Sequence, residues 1–183
     1  MLLKREKAVY KHLGEYKGIL IYLNISSTGL QFPFIKNKSL QRYLSNLIKL
    51  IQFSIKLLWV KGAIKSISFI YLMGVLQANI SARNFLIADD LLLVLCDFSS
   101  SAIGDQNILV RQEIRYRKVN SVEPFYISVA TKIFAISSLI YEIITKKRLY
   151  NKIEDKDKIK GLFRAQIFPL TVYILLRSII NKY

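Results

Sequence analysis

The sequence predicts an α+β fold whose second part is mostly helical, and three observations carry that expectation. Residues 4–13, 48–71 and 130–144 place apolar side chains at helical spacing or on most faces of a helix. Two short apolar runs, 18–23 and 30–35, lie between the first two of these stretches, and three more, 75–76, 85–87 and 91–96, lie between the last two. At 183 residues, with 52% apolar and 12% aromatic side chains, the chain is long enough to bury one core and is expected to form a single domain.

Taken in order, residues 4–13 predict a first helix with Ala8, Val9 and Leu13 toward one side, stopped by Gly14. The runs 18–23 and 30–35 predict a hairpin of two strands, because the residues between them, Asn24 to Gly29, are turn formers. Ser39 is a natural N-cap for a short helix over 40–45. The next helix, 48–71, is expected to be buried on several sides and to be closed by Gly74. Asp89-Asp90 supplies the turn between the strands at 85–87 and 91–96. Residues 99–122 are polar and unpatterned, 130–144 predict a central buried helix, 154–160 a charged loop or exposed turn, and 174–180 a last amphipathic helix. No repeat or low-complexity tract is present.

Composition narrows the function classes. The net charge of +16 suits a phosphate backbone, but the basic residues are dispersed. Lys146-Lys147-Arg148 is a run of three without any nucleic-acid motif beside it, so no specific nucleic-acid role is expected. The mean hydropathy of +0.30 raises a membrane reading. The uncharged run Ser66 to Ala82 is 17 residues and includes Gln77, Asn79 and Ser81, short of the roughly 20 apolar residues a span needs. The apolar stretch 127–144 carries Lys132 inside it, so no membrane span is predicted. One cysteine, Cys96, excludes an internal disulfide and reads as a small core residue; with no secretory signal pattern at the start, a cytoplasmic or otherwise intracellular setting is expected. Lys, Ile, Asn, Tyr and Phe are residues of AT-rich codons, which accounts for charge and apolarity together.

The chemistry-bearing residues are concentrated in Gln77-Ala-Asn79-Ile-Ser-Ala-Arg83-Asn84, followed 13 residues after Asn84 by Asp97-Phe98-Ser99. This resembles the catalytic loop of eukaryotic protein kinases, H-R-D-x-x-x-x-N, and the magnesium motif D-F-G a short hairpin later. Asn79 falls at the catalytic aspartate, Asn84 at the loop asparagine and Asp97 at the opening of D-F-G. The wording is also similar to small fungal kinase-like proteins that carry H-x-D-I-S-A-R-N and D-F-x-G-S. Glu6, four residues before Tyr10 and seven before Leu13, matches the αC glutamate pattern. Phe32 to Ile35, with Asn37 to Leu40 and Tyr43-Leu44, resembles the fifth strand, hinge and following helix, and Ile133 to Glu142 resembles the αF pattern D-x-F-A-L-G-S-x-x-Y-E.

The resemblance implies a protein kinase-like fold: residues 1–36 a remnant N-lobe and hinge, with one helix and two strands, and residues 37–183 a mostly helical C-lobe that stops short of its last helices. It implies catalytic-loop positions at Asn79 and Arg83, an ATP site at Phe34, Ile35, Leu86 and Glu6, and magnesium ligands at Asn84 and Asp97. Several substitutions point to lost activity. The Asn79 amide is no base, and no Gly-rich loop or lysine-bearing strand precedes Glu6. Gln77 stands where a histidine packs under the D-F-G phenylalanine, so the Phe98 contact is expected to weaken; Ser99 replaces the D-F-G glycine. Lys132 stands where the family carries an aspartate that accepts from the catalytic-loop backbone, so it is expected to strand those donors and a charge in an apolar helix. The implied function is a degenerate kinase domain, a pseudokinase or decayed fragment with weak or absent ATP and magnesium binding. The alternatives are an active ATP-dependent protein kinase and a non-catalytic module binding a protein partner.

Overall fold

Helix α3, Phe53–Leu72, is the element on which the rest is assembled. Trp59, Val60, Ala63, Ser66, Ile67 and Ile70 recur at steps of one, three and four residues, which gives a single buried face. The computed structural model of the protein describes residues 2–46, 50–104, 106–107, 112–118 and 129–169. Chain order is α1 (Leu2–Leu13), β1 (Asn24–Ile25), β2 (Leu30–Gln31), α2 (Leu40–Leu44), α3, β3 (Val75–Leu76), β4 (Phe85–Ile87), β5 (Leu93–Leu95), β6 (Ala102–Ile103), α4 (Val129–Thr145) and α5 (Lys156–Arg164), with single 3₁₀ turns at Ala82–Asn84 and Ile114–Tyr116. This is a mixed α+β architecture with small antiparallel sheets, as the sequence predicts.

Each sheet has two strands: β1 pairs with β2, β3 with β6 and β4 with β5, all antiparallel. Helix α3 packs against β3, β5 and α4. One core joins α1, α2, α3, the β4–β5 pair and the Ala135, Leu139, Ile140 and Ile143 side of α4. A second, formed by Ile114, Phe134, Tyr141, Leu149, Ile159 and Phe163, covers another side of α4. The all-round apolar character of 130–144 is thus explained: this helix lies between two cores.

Local signals act where expected. Ser39 Oγ accepts from Arg42 N at 3.3 Å and caps α2. Gly74, at φ +71°, takes the left-handed conformation that ends α3, its N–H donating to the Tyr71 carbonyl at 3.0 Å. Asp90 Oδ1 accepts from Leu92 N at 3.0 Å in the β4–β5 turn.

Several expectations are corrected. Residues 18–23 form no continuous strand: Leu20 N donates to the Leu95 carbonyl at 2.9 Å and Leu95 N to the Gly18 carbonyl at 2.8 Å, a parallel bridge at Ile19, and only at its end does the run meet the hairpin, Leu23 N donating to the Gln31 carbonyl at 2.7 Å. The hairpin is confined to Asn24–Ile25 and Leu30–Gln31, closed by Ser26 N to the Gly29 carbonyl at 3.0 Å. The third strand of the loop region narrows from 91–96 to Leu93–Leu95, and the long helix begins at Phe53. Within the stretch read as unpatterned, Ala102–Ile103 is a strand, because Leu76 and Val75 offer it partners that only folding brings near.

The charged stretch 154–160 is mostly helix. Asp155 Oδ1 accepts from Asp157 N and Lys158 N at 2.8 and 3.2 Å, and Ile159 and Phe163, four residues apart, are buried. The helix expected at 174–180 lies outside the described residues. Among the described residues, no helix is long and apolar enough to cross a membrane.

Lys132 does not strand its charge. Its Nζ lies 4.0 Å from the centroid of the Tyr71 ring, the side chain is half-buried, and burial lowers its pKa. Two loop donors of the segment expected to lack acceptors, Ile80 N and Ala82 N, are bonded to Gln112 Oε1 at 3.1 Å and Tyr116 Oη at 3.3 Å. Lys132→Asp is therefore expected to destabilise, by about 0.5–1 kcal/mol for the lost cation–π contact and more for a carboxylate over the negative ring face. Denaturant midpoints of the two chains check this, and a raised midpoint would refute it.

Candidate functional site

The turn Ala82–Asn84 leads directly into β4, and β5 returns antiparallel to it, so the register Phe85↔Leu95 fixes the distance between the loop and the Asp97 turn. Asn84 is the joint. Its Nδ2 donates to the Asn79 carbonyl at 2.8 Å, and its own carbonyl accepts from Cys96 N at 2.8 Å. Asn79, Asn84 and the residue preceding Asp97 thus belong to one hydrogen-bonded cluster. Asn79 and Asn84 are buried and Asp97 is exposed.

Asp97 adopts φ +60°, a conformation that Asp tolerates better than most side chains, and its Oδ1 accepts from Ser99 Oγ at 2.6 Å and Ser99 N at 3.4 Å. The turn is clamped from two sides. Gln77, buried, donates Nε2 to the Asp97 carbonyl at 2.9 Å and accepts from Ser101 Oγ at 2.6 Å. From α1, Glu6 Oε1 accepts from Phe98 N at 3.3 Å, and Arg5 Nη1 donates to the Ser101 carbonyl at 2.8 Å. Burial and then the nearby Asp97 carboxylate raise the Glu6 pKa, with the Phe98 N–H opposing. Phe98 is fully buried and meets the Tyr10 ring edge-on at 5.1 Å, so aromatic packing from α1 holds the ring while the Gln77 amide holds the backbone of the turn.

Cys96 has its thiol pushed up to about 12, by burial first and by Asp97 and Glu6 after it, so it is no nucleophile at neutral pH. Two buried atoms near the loop, Asn79 Oδ1 and Ser81 Oγ, have no hydrogen-bond partner.

The other candidate residues are not drawn into this cluster. Arg83 is exposed and pairs with Glu113 at 3.6 Å, which also pairs with Arg148 at 3.6 Å. Phe34 is 88% exposed. Ile35 and Leu86 are half-buried, and β4 lies along the stretch after Ile35 through the Ser39–Leu86 bridge and Ile87 N to the Lys38 carbonyl at 3.1 Å. Among the described residues no group of three or more His, Cys, Asp or Glu could hold a metal ion. Asn84 and Asp97 supply two oxygen donors, a number suited to magnesium only when phosphate oxygens or water complete the shell.

The sequence reading missed the support under the loop. Gln112 brackets Ile80, accepting from its N–H at 3.1 Å and donating to its carbonyl at 2.5 Å. Tyr116 Oη accepts from Ala82 N and donates to Glu142 Oε2, a buried chain from the loop to α4. Burial raises the Glu142 pKa to about 7, against the opposing Tyr116 hydrogen bond and Arg148, and burial with Glu142 beside it raises Tyr116 well above its ordinary value. Glu142 had a signal, the Tyr141-Glu142 pair ending an apolar helix; Gln112 and Tyr116 sit in unpatterned sequence and had none. No family model and no curated protein matches the chain.

Proposed function

We propose that the chain is a degenerate protein kinase-like domain, a pseudokinase or decayed kinase, with little or no phosphotransfer. The observation that supports this reading best is the order strand, loop, 3₁₀ turn, two-stranded hairpin and Asp97 turn, with Asn79 and Asn84 hydrogen-bonded and Glu6 of α1 reaching the Asp97-Phe98 turn. On this reading residues 1–36 are N-lobe and hinge and the rest is C-lobe. Asn79 Oδ1, buried without a partner, can accept a hydrogen bond from a hydroxyl but cannot take its proton. Loss of a positioned base costs typically about 10²- to 10⁴-fold. Among the described residues no lysine or arginine pairs with Glu6, so the cationic anchor for a triphosphate is missing beside it. Magnesium would sit between Asn84 and Asp97 only together with nucleotide phosphates. The single cysteine suits an intracellular setting.

The test is phosphotransfer from ATP to a generic protein substrate. No turnover above background is expected, and Asn79→Asp alone is expected not to restore it, because the phosphate anchor is still lacking. Millimolar Mg-ATP is expected to leave the melting temperature unchanged within about a degree, since binding stabilises by RT ln(1 + [L]/Kd). Robust turnover or a rise of several degrees would replace this reading with that of an active kinase. The non-catalytic reading, a module that binds a protein partner, is favoured by Phe34 and Leu23, which are 88% and 67% exposed on the hairpin side of the chain.

A further inference from the structure

An open groove of about 340 Å³ runs along α3, between residues 16–18 and the start of β5, and shares no lining residue with the Asn79–Asn84–Asp97 cluster. We infer that this groove binds a small aromatic anion, a flat ring carrying a phosphate or carboxylate. Three lysines line it: Lys61 and Lys65, one turn apart on α3, and Lys17 from the facing segment. Among the described residues none of the three has an ion-pair partner. Like charges at i and i+4 repel, so an anion between them relieves a cost that the chain otherwise bears. A merely solvated basic face needs no apolar lining, yet Leu58 and Leu93 line this groove, and the volume falls at the small end of the roughly 300–1,000 Å³ typical of ligand sites.

The flatness follows from the backbone. Gly62 lines the groove with no side chain, and a Cβ there would meet Leu93 Cβ at 3.8 Å, an ordinary contact. Gly18 lies so close to α3 that a Cβ would meet Ser66 Oγ at 2.3 Å, and Ser66 Oγ donates to the Gly18 carbonyl at 2.9 Å. Tyr16 is held parallel to Phe69, 3.8 Å away at 4°, and forms a fixed aromatic wall. These parts do not depend on the kinase-like reading.

Calorimetric titration with 1-naphthyl phosphate, against inorganic phosphate and 1-naphthol, tests the inference. Saturable 1:1 binding is expected, at least about tenfold tighter than either half of the probe. Lys61→Gln/Lys65→Gln, on the exposed side of α3, should fold normally and weaken naphthyl phosphate by about tenfold or more. Gly62→Ala, a tolerated helical change, should weaken it about threefold through the added methyl and leave inorganic phosphate unaffected. Inorganic phosphate binding as well as the aryl phosphate, a stoichiometry above one, or unchanged affinity in the double variant would each overturn the site. Tighter capture of a single-stranded oligonucleotide, lost in the same double variant, would also overturn it and mark a nucleic-acid face instead.

Discussion

At pH 8 the Glu142→Gln chain is expected to be more stable than the native one, by about 2–3 kcal/mol, and the advantage should vanish by pH 4.5. The carboxyl of Glu142 is 3% exposed, and its pKa is raised from 4.5 to about 7 in the folded protein. A group that binds its proton more tightly when folded is neutral in both states at low pH and contributes no penalty there. As pH rises from 4.5 through 7 the unfolded chain ionises first, so folded stability falls over that window and stays low above it. Glutamine keeps the acceptor that Tyr116 Oη needs and carries no charge to desolvate, so its stability should lack this slope. Tyr116→Phe should act in the opposite direction, costing about 1–3 kcal/mol by leaving Ala82 N and the Glu142 carboxyl without their shared partner. Denaturant unfolding of the three chains at pH 5 and pH 8 reads all of this; parallel curves for native and Glu142→Gln would refute it.

Trp59→Ala should be the most damaging single change outside that network, at about 3–5 kcal/mol. Trp59 is fully buried, its Nε1 donates to the Leu91 carbonyl at 2.8 Å, and Tyr43 meets it edge-on at 5.5 Å, so one side chain joins α3, α2 and the β4–β5 turn. Leu91 itself sits at φ +64°, and the indole bond helps to hold that unfavourable turn. Trp59→Phe keeps most of the packing and loses the bond, for an expected cost of about 1–3 kcal/mol. At roughly 2–4 °C per kcal/mol for a chain of this size, melting temperatures separate the two variants, and equal losses would show that packing contributes little.

How legible these features were depends on the range of the interactions that create them. α1, α3, α4 and the β4–β5 hairpin follow from period, caps and turn residues that are local in sequence. So does the proximity of Asn79, Asn84 and the Asp97 turn, since a tight hairpin spans the 12 residues between Asn84 and Asp97. Helix α5 was hidden because its charges outnumber its apolar residues, although the Asp155 cap and the Ile159–Phe163 step were present to be read. β6 was hidden because its pairing with β3 joins residues more than 25 positions apart. Lys132 was misjudged because a charged residue in an apolar helix reads as a defect until the aromatic face beside it is known. Among the site residues, Arg83 and Phe34 were named by position alone, and position does not fix where a long or exposed side chain turns.

The clamp of α1 on the Asp97 turn has a consequence during synthesis. Arg5 and Ser101, joined by a hydrogen bond, are 96 residues apart. At about 5–20 residues per second, the ribosome delivers the second some 5–20 s after the first. Val9, Tyr10 and Leu13, the buried face of α1, have no complete docking surface through that interval. Helix α1 is therefore made well before the segment that secures it, and through that interval its apolar face is what a nascent-chain chaperone would meet.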